Sequence, residues 1–158
     1  MALILGTEYC KVDTNGRFKF PIALKKQLEG EDYRFLFRKS TTPGCLELWT
    51  YTSFEKEMDF LSRELNLFNP VDKEIKRRLS RTSSVLELDS NDRLMVPPEF
   101  KGVLGAAKEI VLQSTGSCIE IWERSKFDEM DNSTIDFETM INNRLGQLHG
   151  LSQASDAE

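Results

Sequence analysis

The chain carries one sequence pattern twice, in the same order of landmarks. The first copy opens with Asp-Thr-Asn-Gly-Arg at Asp13, and the second opens with Asp-Ser-Asn-Asp-Arg at Asp89. Each continues through a proline and an apolar strand to Cys-aliphatic-Glu-aliphatic-Trp, ending at Trp49 or Trp122. Each copy spans about 45 residues, near the size at which a single core is marginal. Longer repeat arrays usually need about three or more units. The duplication therefore predicts two small half-domains that share a core or gain stability by oligomerisation.

Local patterns predict the same elements in both copies: strand, turn, strand, short helix and hairpin. In the first copy, residues 13–16 have turn chemistry, because Asp13 can cap its own backbone and Gly16 can adopt a positive φ. Residues 17–20 alternate as a half-buried strand does, and Pro21 suits the first position of a helix. The second copy repeats this order with its own proline pair in the helix-start position.

Between and after the copies, the pattern is helical. The capping-box spacing of Thr52 and Glu55 predicts a helix over residues 54–67, and Asn69 with the following proline predicts another over 71–79. A last helix is expected over residues 133–148. The small, acidic segment from Ser152 onward is expected to be disordered.

Charge is unevenly distributed along the chain. The net charge is −5, but residues 128–158 hold seven acids and one base, which leaves the first 127 residues near +1. Bulk charge is a weak guide to partners, because local fields decide binding. The basic stretch over residues 73–81 fits either a phosphate-binding patch or a solvated helix face.

Several classes of site are disfavoured. Cys10, Cys45 and Cys118 are interpreted as reduced packing residues, and the lone His149 offers no metal-ligand set. The amino terminus lacks the layout of a signal peptide, and no apolar run approaches the ~20 residues of a membrane helix. Glu47 and Glu120 are matched carboxylates without a nucleophile. We therefore expect no enzyme activity, cofactor, metal, membrane contact or small-molecule substrate.

The candidate site is the Asp-x-x-x-Arg turn that opens each copy. A turn in which Asp caps the backbone and Arg pairs with Asp would account for the motif structurally. The motif also places Arg17 and Arg93 at exposed tips, and Arg is the side chain best suited to bidentate contact with phosphate or guanine. Its occurrence at equivalent points of both copies favours the functional interpretation.

To about residue 130, the chain resembles the MraZ family of bacterial transcriptional regulators, within the broader AbrB/SpoVT group of swapped-hairpin DNA-binding domains. The order, spacing and duplication of the motifs carry the resemblance. They are Gly6-x-x-Tyr9, Asp13-x-x-Gly-Arg17-Phe-Lys-Phe-Pro21, Cys45-Leu-Glu-Leu-Trp49, Lys76-Arg-Arg78, Leu88-Asp89-x-x-x-Arg93-x-x-x-Pro97-Pro98 and Ile119-Glu-Ile-Trp122.

The resemblance implies an α+β fold with two tandem AbrB/SpoVT-like half-domains, over residues 7–54 and 83–126. They would form an internal pseudo-dimer β-barrel with flanking helices. Residues 55–82 would be a helical linker, and 127–158 a C-terminal helix with an acidic tail. It also implies self-association into a ring that binds double-stranded DNA at promoter direct repeats. The target would lie upstream of the division and cell-wall operon, and the protein would be cytoplasmic and nucleoid-associated.

Residue by residue, the resemblance implies that Arg17 and Arg93 contact DNA while Asp13 and Asp89 shape the loops. The other expected DNA-binding residues are Asn15, Gly16, Lys19 and Asn91. The chain departs from the family pattern at Asn15, where Lys is common, and at Asp92, where Gly is usual. We therefore expect the first copy to be the better DNA contact. The alternative is an oligomeric scaffold with weak or lost DNA binding, which Asp92 and a pI near 5.1 favour.

Overall fold

The computed structural model describes residues 3–132 and 136–156, with side chains as far as residue 150. These residues form a mixed α+β fold, as the sequence predicts. The strands are β1 (Thr7–Lys11), β2 (Arg17–Lys19), β3 (Arg34–Lys39), β4 (Cys45–Thr50), β5 (Leu86–Glu87), β6 (Arg93–Met95), β7 (Glu109–Ser114) and β8 (Ile119–Glu123). The helices are α1 (Ile22–Gln27), α2 (Tyr51–Glu64), α3 (Pro70–Leu79), α4 (Lys101–Leu104), α5 (Arg124–Asp131) and α6 (Phe137–Asp156).

The two copies contribute strands to one antiparallel sheet in the order β1-β7-β8-β4-β3-β5. Exchanging equivalent strands of the two copies turns this order into its own reverse. The first strand of each copy pairs with the other copy: Cys10 lies opposite Ile110, and Leu86 lies opposite Phe35. The sheet is therefore built by exchange of strands between the copies.

The registers also pair equivalent positions. Glu47 lies opposite Glu120 where β4 meets β8. Strands β2 and β6 form a separate two-stranded antiparallel ribbon, in which Phe18 lies opposite Leu94. Each of these pairs holds the same place in its own copy, so the two copies meet at matching residues both in the sheet and in the ribbon.

The hydrophobic core is shared between the copies. Its fully buried side chains come from both, and each large one contributes about 1.5–3 kcal/mol when removed from water. They include Phe18, Phe20, Phe35, Phe37, Leu46 and Leu48 from the first copy and Leu94, Ile110, Leu112, Ile119 and Ile121 from the second. The apolar side chains of each copy are thus buried against those of the other copy, as expected for copies too small to hold a core alone.

The cysteines behave as packing residues. Cys45 and Cys118 are buried and Cys10 is half-buried, and all three are free thiols. Burial raises the pKa of Cys10 and of Cys118 to about 11, so both thiols are neutral at pH 7. Trp49 and Trp122 are buried as well.

One helix start differs from the prediction. Helix α2 begins at Tyr51, and its cap is Thr50 and not Thr52: the Thr50 hydroxyl accepts a hydrogen bond from the Ser53 N–H at 3.1 Å. The reason is that β4 runs directly to Thr50, whose extended backbone already has the geometry of a cap. The predicted start of α3 is confirmed, because the Asn69 side chain accepts from the first helical N–H groups.

Residues 128–158 form a second compact unit, separate from residues 1–127. Helix α6 continues past the expected end at Leu148 to Asp156, and so reaches into the segment for which the sequence predicts disorder. No proline interrupts this stretch, and Gly146 and Gly150 each weaken a helix by only about 1 kcal/mol. Residues 133–135 and 157–158 lie outside the described part. No described helix combines the length and apolar character needed to cross a membrane.

Candidate nucleic-acid interface

The ribbon of β2 and β6 carries the two Asp-x-x-x-Arg turns, named here loop 1 (residues 13–17) and loop 2 (residues 89–93). Backbone hydrogen bonds tie each loop to the other copy. The Val96 N–H donates to the Gly16 carbonyl at 2.9 Å, and the Phe20 N–H donates to the Asp92 carbonyl at 2.8 Å. The ribbon therefore holds both loops in a fixed relation.

In loop 1, Asp13 organises the turn. Its Oδ1 accepts from the N–H groups of Asn15, at 2.8 Å, and Arg17, at 3.0 Å, while its carbonyl accepts from the Gly16 N–H at 3.0 Å. The bond from the Arg17 N–H does most to lower the pKa of this carboxyl below 3.8. Asp13 is therefore ionised at neutral pH, and Asn15 and Arg17 have exposed side chains.

Loop 2 has the same geometry. Asp89 Oδ1 accepts from the N–H groups of Asn91, at 2.8 Å, and Arg93, at 2.9 Å, and its carbonyl accepts from Asp92 at 3.0 Å. Its pKa is also lowered, mainly by the Arg93 N–H. Asp92 takes φ +58° where Gly16 takes φ +80°. Aspartate tolerates this left-handed region better than most side chains, which lets it replace glycine here.

The loops bring basic side chains of both copies together. Arg17, Lys19 and Arg93 are exposed and line one groove with Lys11 and Asp13. Arg93 Nη1 lies 3.2 Å from Asp13 Oδ2, so the second arginine is paired across the ribbon. Among the described residues, no carboxylate lies within ion-pair distance of the Arg17 guanidinium. Arg17 is thus the more available donor fork for a bidentate contact with an anion.

Two lysines beside the loops were not identified from the sequence. Lys25 Nζ of α1 lies 2.9 Å from Asp92 Oδ1. Lys101, at the start of α4, lies against Gly16, where an added Cβ would be 2.8 Å from its Nζ. Both lysines stand four residues after the proline of their copy, so aligning the copies could have matched them. The Asp92 charge is therefore compensated by a lysine of the other copy.

Comparison with known proteins shows which family of proteins the chain resembles. A family described as "MraZ protein, putative antitoxin-like" matches residues 80–145. The Transcriptional regulator MraZ of Christiangramia forsetii is 34% identical over 149 residues, which cover 92% of this chain and 95% of that protein. This chain belongs to the MraZ family. The Transcriptional regulator MraZ of Flavobacterium psychrophilum is 31% identical, over 94% of this chain and 96% of its own length. The protein of the same name from Mycoplasmoides gallisepticum is 30% identical over 135 residues.

In this MraZ-family chain, three side chains of the basic stretch on α3 are engaged with neighbouring groups. Arg77 and Arg78 both pair with Glu74, and Lys76 Nζ donates to Ser62 Oγ at 3.0 Å. Such pairs at spacings of three and four residues are typical of a solvated helix face. The geometry therefore favours that interpretation over a phosphate-binding patch.

The two matched glutamates, Glu47 and Glu120, have different neighbours. The buried Arg38 donates to Glu47 Oε1 and to Glu57 Oε2, each at 2.8 Å, and to the Leu79 carbonyl at 2.9 Å. This network ties β3, β4, α2 and the end of α3 together. Glu47 is thereby held in an ion pair, whereas Glu120 faces Gln113 at the position equivalent to Arg38.

Proposed function

We propose that this chain is a sequence-specific, DNA-binding transcriptional regulator that contacts DNA through loops 1 and 2. In this proposal Arg17 and Arg93 reach the DNA, and Asp13 and Asp89 fix the loop backbones. Supporting contacts come from Asn15, Lys19 and Asn91, and Gly16 provides the turn. The observation that carries the proposal is the groove in which Arg17, Lys19 and Arg93 are exposed side by side. The relatives are named transcriptional regulators, which supports the proposal.

The proposal extends to assembly. One chain presents few cations at its loops, which gives little affinity. A ring would repeat them and raise affinity through effective concentration. We therefore propose that the chains form a ring. We also propose that each chain is a tandem pair of AbrB/SpoVT-like half-domains, residues 7–54 and 83–126. The helical linker 55–82 would join them, and the segment 127–158 would follow. Exchange of strands between the copies supports this organisation.

The proposed target is a set of direct repeats upstream of the division and cell-wall operon, bound by a ring of chains. The regulator would control its own expression from that site. It would act in the cytoplasm at the nucleoid, without a catalytic step. Direct repeats suit such a ring because each repeat can engage one chain, so that individually weak contacts add.

A non-catalytic scaffold remains the second candidate, and one observation favours it. Large apolar side chains are exposed around the end of α2 and the start of α3, including Leu67, Val71 and Phe68, of which Phe68 is 97% exposed. Exposed apolar groups of this kind mark protein-protein contact surfaces. A ring interface would cover them in either candidate, so the surface by itself does not exclude DNA binding.

The test is fluorescence anisotropy of the intact protein with duplex DNA from upstream of its own gene, over a salt series. Arg17→Ala is compared with Arg63→Ala, which removes an equal charge from an exposed site on α2. We expect salt-dependent binding, with a log–log slope of about −0.9 per phosphate contact, that needs Arg17 and tolerates the loss of Arg63. Absence of binding at low salt would contradict the proposal and favour the scaffold.

A further inference from the structure

Two clefts occupy equivalent places in the two copies, one beside each loop. The charged residues lining cleft 1, beside loop 1, are three lysines and two acids: Lys11, Lys101, Lys108, Asp13 and Glu109. Those lining cleft 2, beside loop 2, are two bases and four acids: Lys25, Arg34, Asp32, Glu87, Asp89 and Asp92. The two clefts therefore occupy equivalent positions but carry net charges of opposite sign.

The ion pairs in the two clefts increase this difference in charge. In cleft 2, Lys25 pairs with Asp92 and Arg34 pairs with Asp32, so both bases are occupied. In cleft 1, the acid Glu109 is held by Arg124 at 2.8 Å. Among the described residues, no carboxylate lies within ion-pair distance of its three lysines. Cleft 1 thus offers open ammonium groups, whereas cleft 2 offers a surplus of carboxylates.

The difference comes from a few matched positions. Lys11 and Glu87 each stand two residues before the loop aspartate, and Gly16 and Asp92 each stand just before the loop arginine. At the second pair, Asp92 captures Lys25, whereas Gly16 has no side chain with which to capture Lys101. The missing side chain leaves the Lys101 ammonium beside the backbone of loop 1 without a carboxylate partner.

We propose that cleft 1 is a second binding surface for DNA backbone phosphate, formed by Lys11, Lys101 and Lys108, and that cleft 2 has no such role. The inference rests on the proposed function and adds to it. Lysine ammonium groups bind phosphate as point charges and carry no base-reading geometry. The cleft fixes the position of the duplex against loop 1, so that Arg17 is presented to the bases in a defined register.

The test uses the intact protein with two duplexes, one carrying the upstream direct repeats and one scrambled, over a salt series. The double variant Lys101→Gln with Lys108→Gln is compared with Lys56→Gln, an exposed lysine of α2 outside both clefts. We expect the double variant to weaken binding to both duplexes alike. It should also flatten the log–log salt slope by about 0.9 for each phosphate that the protein no longer neutralises. Lys56→Gln should leave the slope unchanged.

If the double variant has the slope of Lys56→Gln while binding still needs Arg17, the cleft proposal is overturned and the regulator proposal stands. If the unsubstituted protein fails to bind either duplex, the regulator proposal itself fails. Circular dichroism checks the fold of each variant. Lys108→Gln alone, at an exposed position, provides the same comparison should the double variant unfold.

Discussion

Loops 1 and 2 share a backbone and differ in charge. Their aspartates accept the same pair of backbone hydrogen bonds, at 2.8 and 3.0 Å in loop 1 and at 2.8 and 2.9 Å in loop 2. Arg17 has no ion-pair partner among the described residues, whereas Arg93 is paired with Asp13. The comparison teaches that the repeated motif specifies loop shape, while the ion pair that Arg93 makes and Arg17 lacks decides which arginine is available to an anion.

The largest expected effect is on stability, and it compares the two core side chains of the ribbon that carries the loops. Phe18 and Leu94 face each other and are each 1% exposed. We expect Phe18→Ala to lower the free energy of unfolding by about 3–5 kcal/mol and Leu94→Ala by about 2–5 kcal/mol, because each leaves a core cavity. Urea denaturation measures both. Ile22→Ala, at a side chain 59% exposed, is the control and should cost about 0.5 kcal/mol or less.

The next test compares the loop arginines themselves. Arg17→Ala should weaken DNA binding about tenfold or more, the loss expected for one bidentate contact. Arg93→Ala should cost less, because Arg93 must leave Asp13 before it can contact DNA. Anisotropy titrations of both variants at one salt concentration give the ratio. Equal losses would show that the Asp13 pair does not distinguish the loops.

A smaller effect is expected from exchanging the residues before the two arginines. Asp92→Gly should free Lys25 and raise DNA affinity several-fold, because loop 2 then has the charge pattern of loop 1. Gly16→Asp should lower affinity, since the introduced carboxylate would lie against Lys101, whose flexible end can move to accept it. Salt-series titrations of both variants check the prediction. Changes in the same direction would refute the role assigned to these positions.

The smallest expected effect is a response to acid shared by both loops. Folding lowers the pKa of Asp13 and of Asp89 below 3.8. Each carboxylate therefore stabilises the fold above its unfolded pKa and loses that contribution as the pH falls through its folded pKa. We expect the contribution to be constant near neutral pH and to decline below about pH 4. Urea titrations at several pH values give the free energy of unfolding as a function of pH. Below about pH 4 it should fall less steeply for the double variant Asp13→Asn with Asp89→Asn. An unchanged slope would contradict the prediction.

Much of the fold could be predicted from the sequence, because each copy has clear turn and strand signals. The strands after Asp13 and Asp89, the short helix after Pro21 and the hairpin before Trp49 all lie close to where the pattern predicts them. The pairing of strands could not be predicted in this way. Equivalent strands have similar sequences, so the alternation does not say whether Cys10 pairs within its own copy or, as observed, with Ile110.

The arginines of the candidate site could be predicted from the repeated motif, but the residues that surround them could not. Arg17 and Arg93 follow from the repeated spacing, but the Lys25–Asp92 pair joins residues 67 positions apart. Such a pair depends on how α1 of one copy packs beside the loop of the other. The buried Arg38 network has the same origin, since its partners lie on β4, α2 and the end of α3. Long-range packing places these groups, and local patterns carry no signal of it.

The exchange of β1 between the copies has a consequence for synthesis of the chain. Thr7 of β1 bonds to Gln113 of β7, 106 residues further along. At about 5–20 residues per second, the first strand waits roughly 5–20 s on the ribosome before its partner is made. During that interval a neighbouring nascent chain could offer an equivalent strand edge. Slower synthesis of the second copy would lengthen the time during which the edge of β1 is open to pairing with another chain.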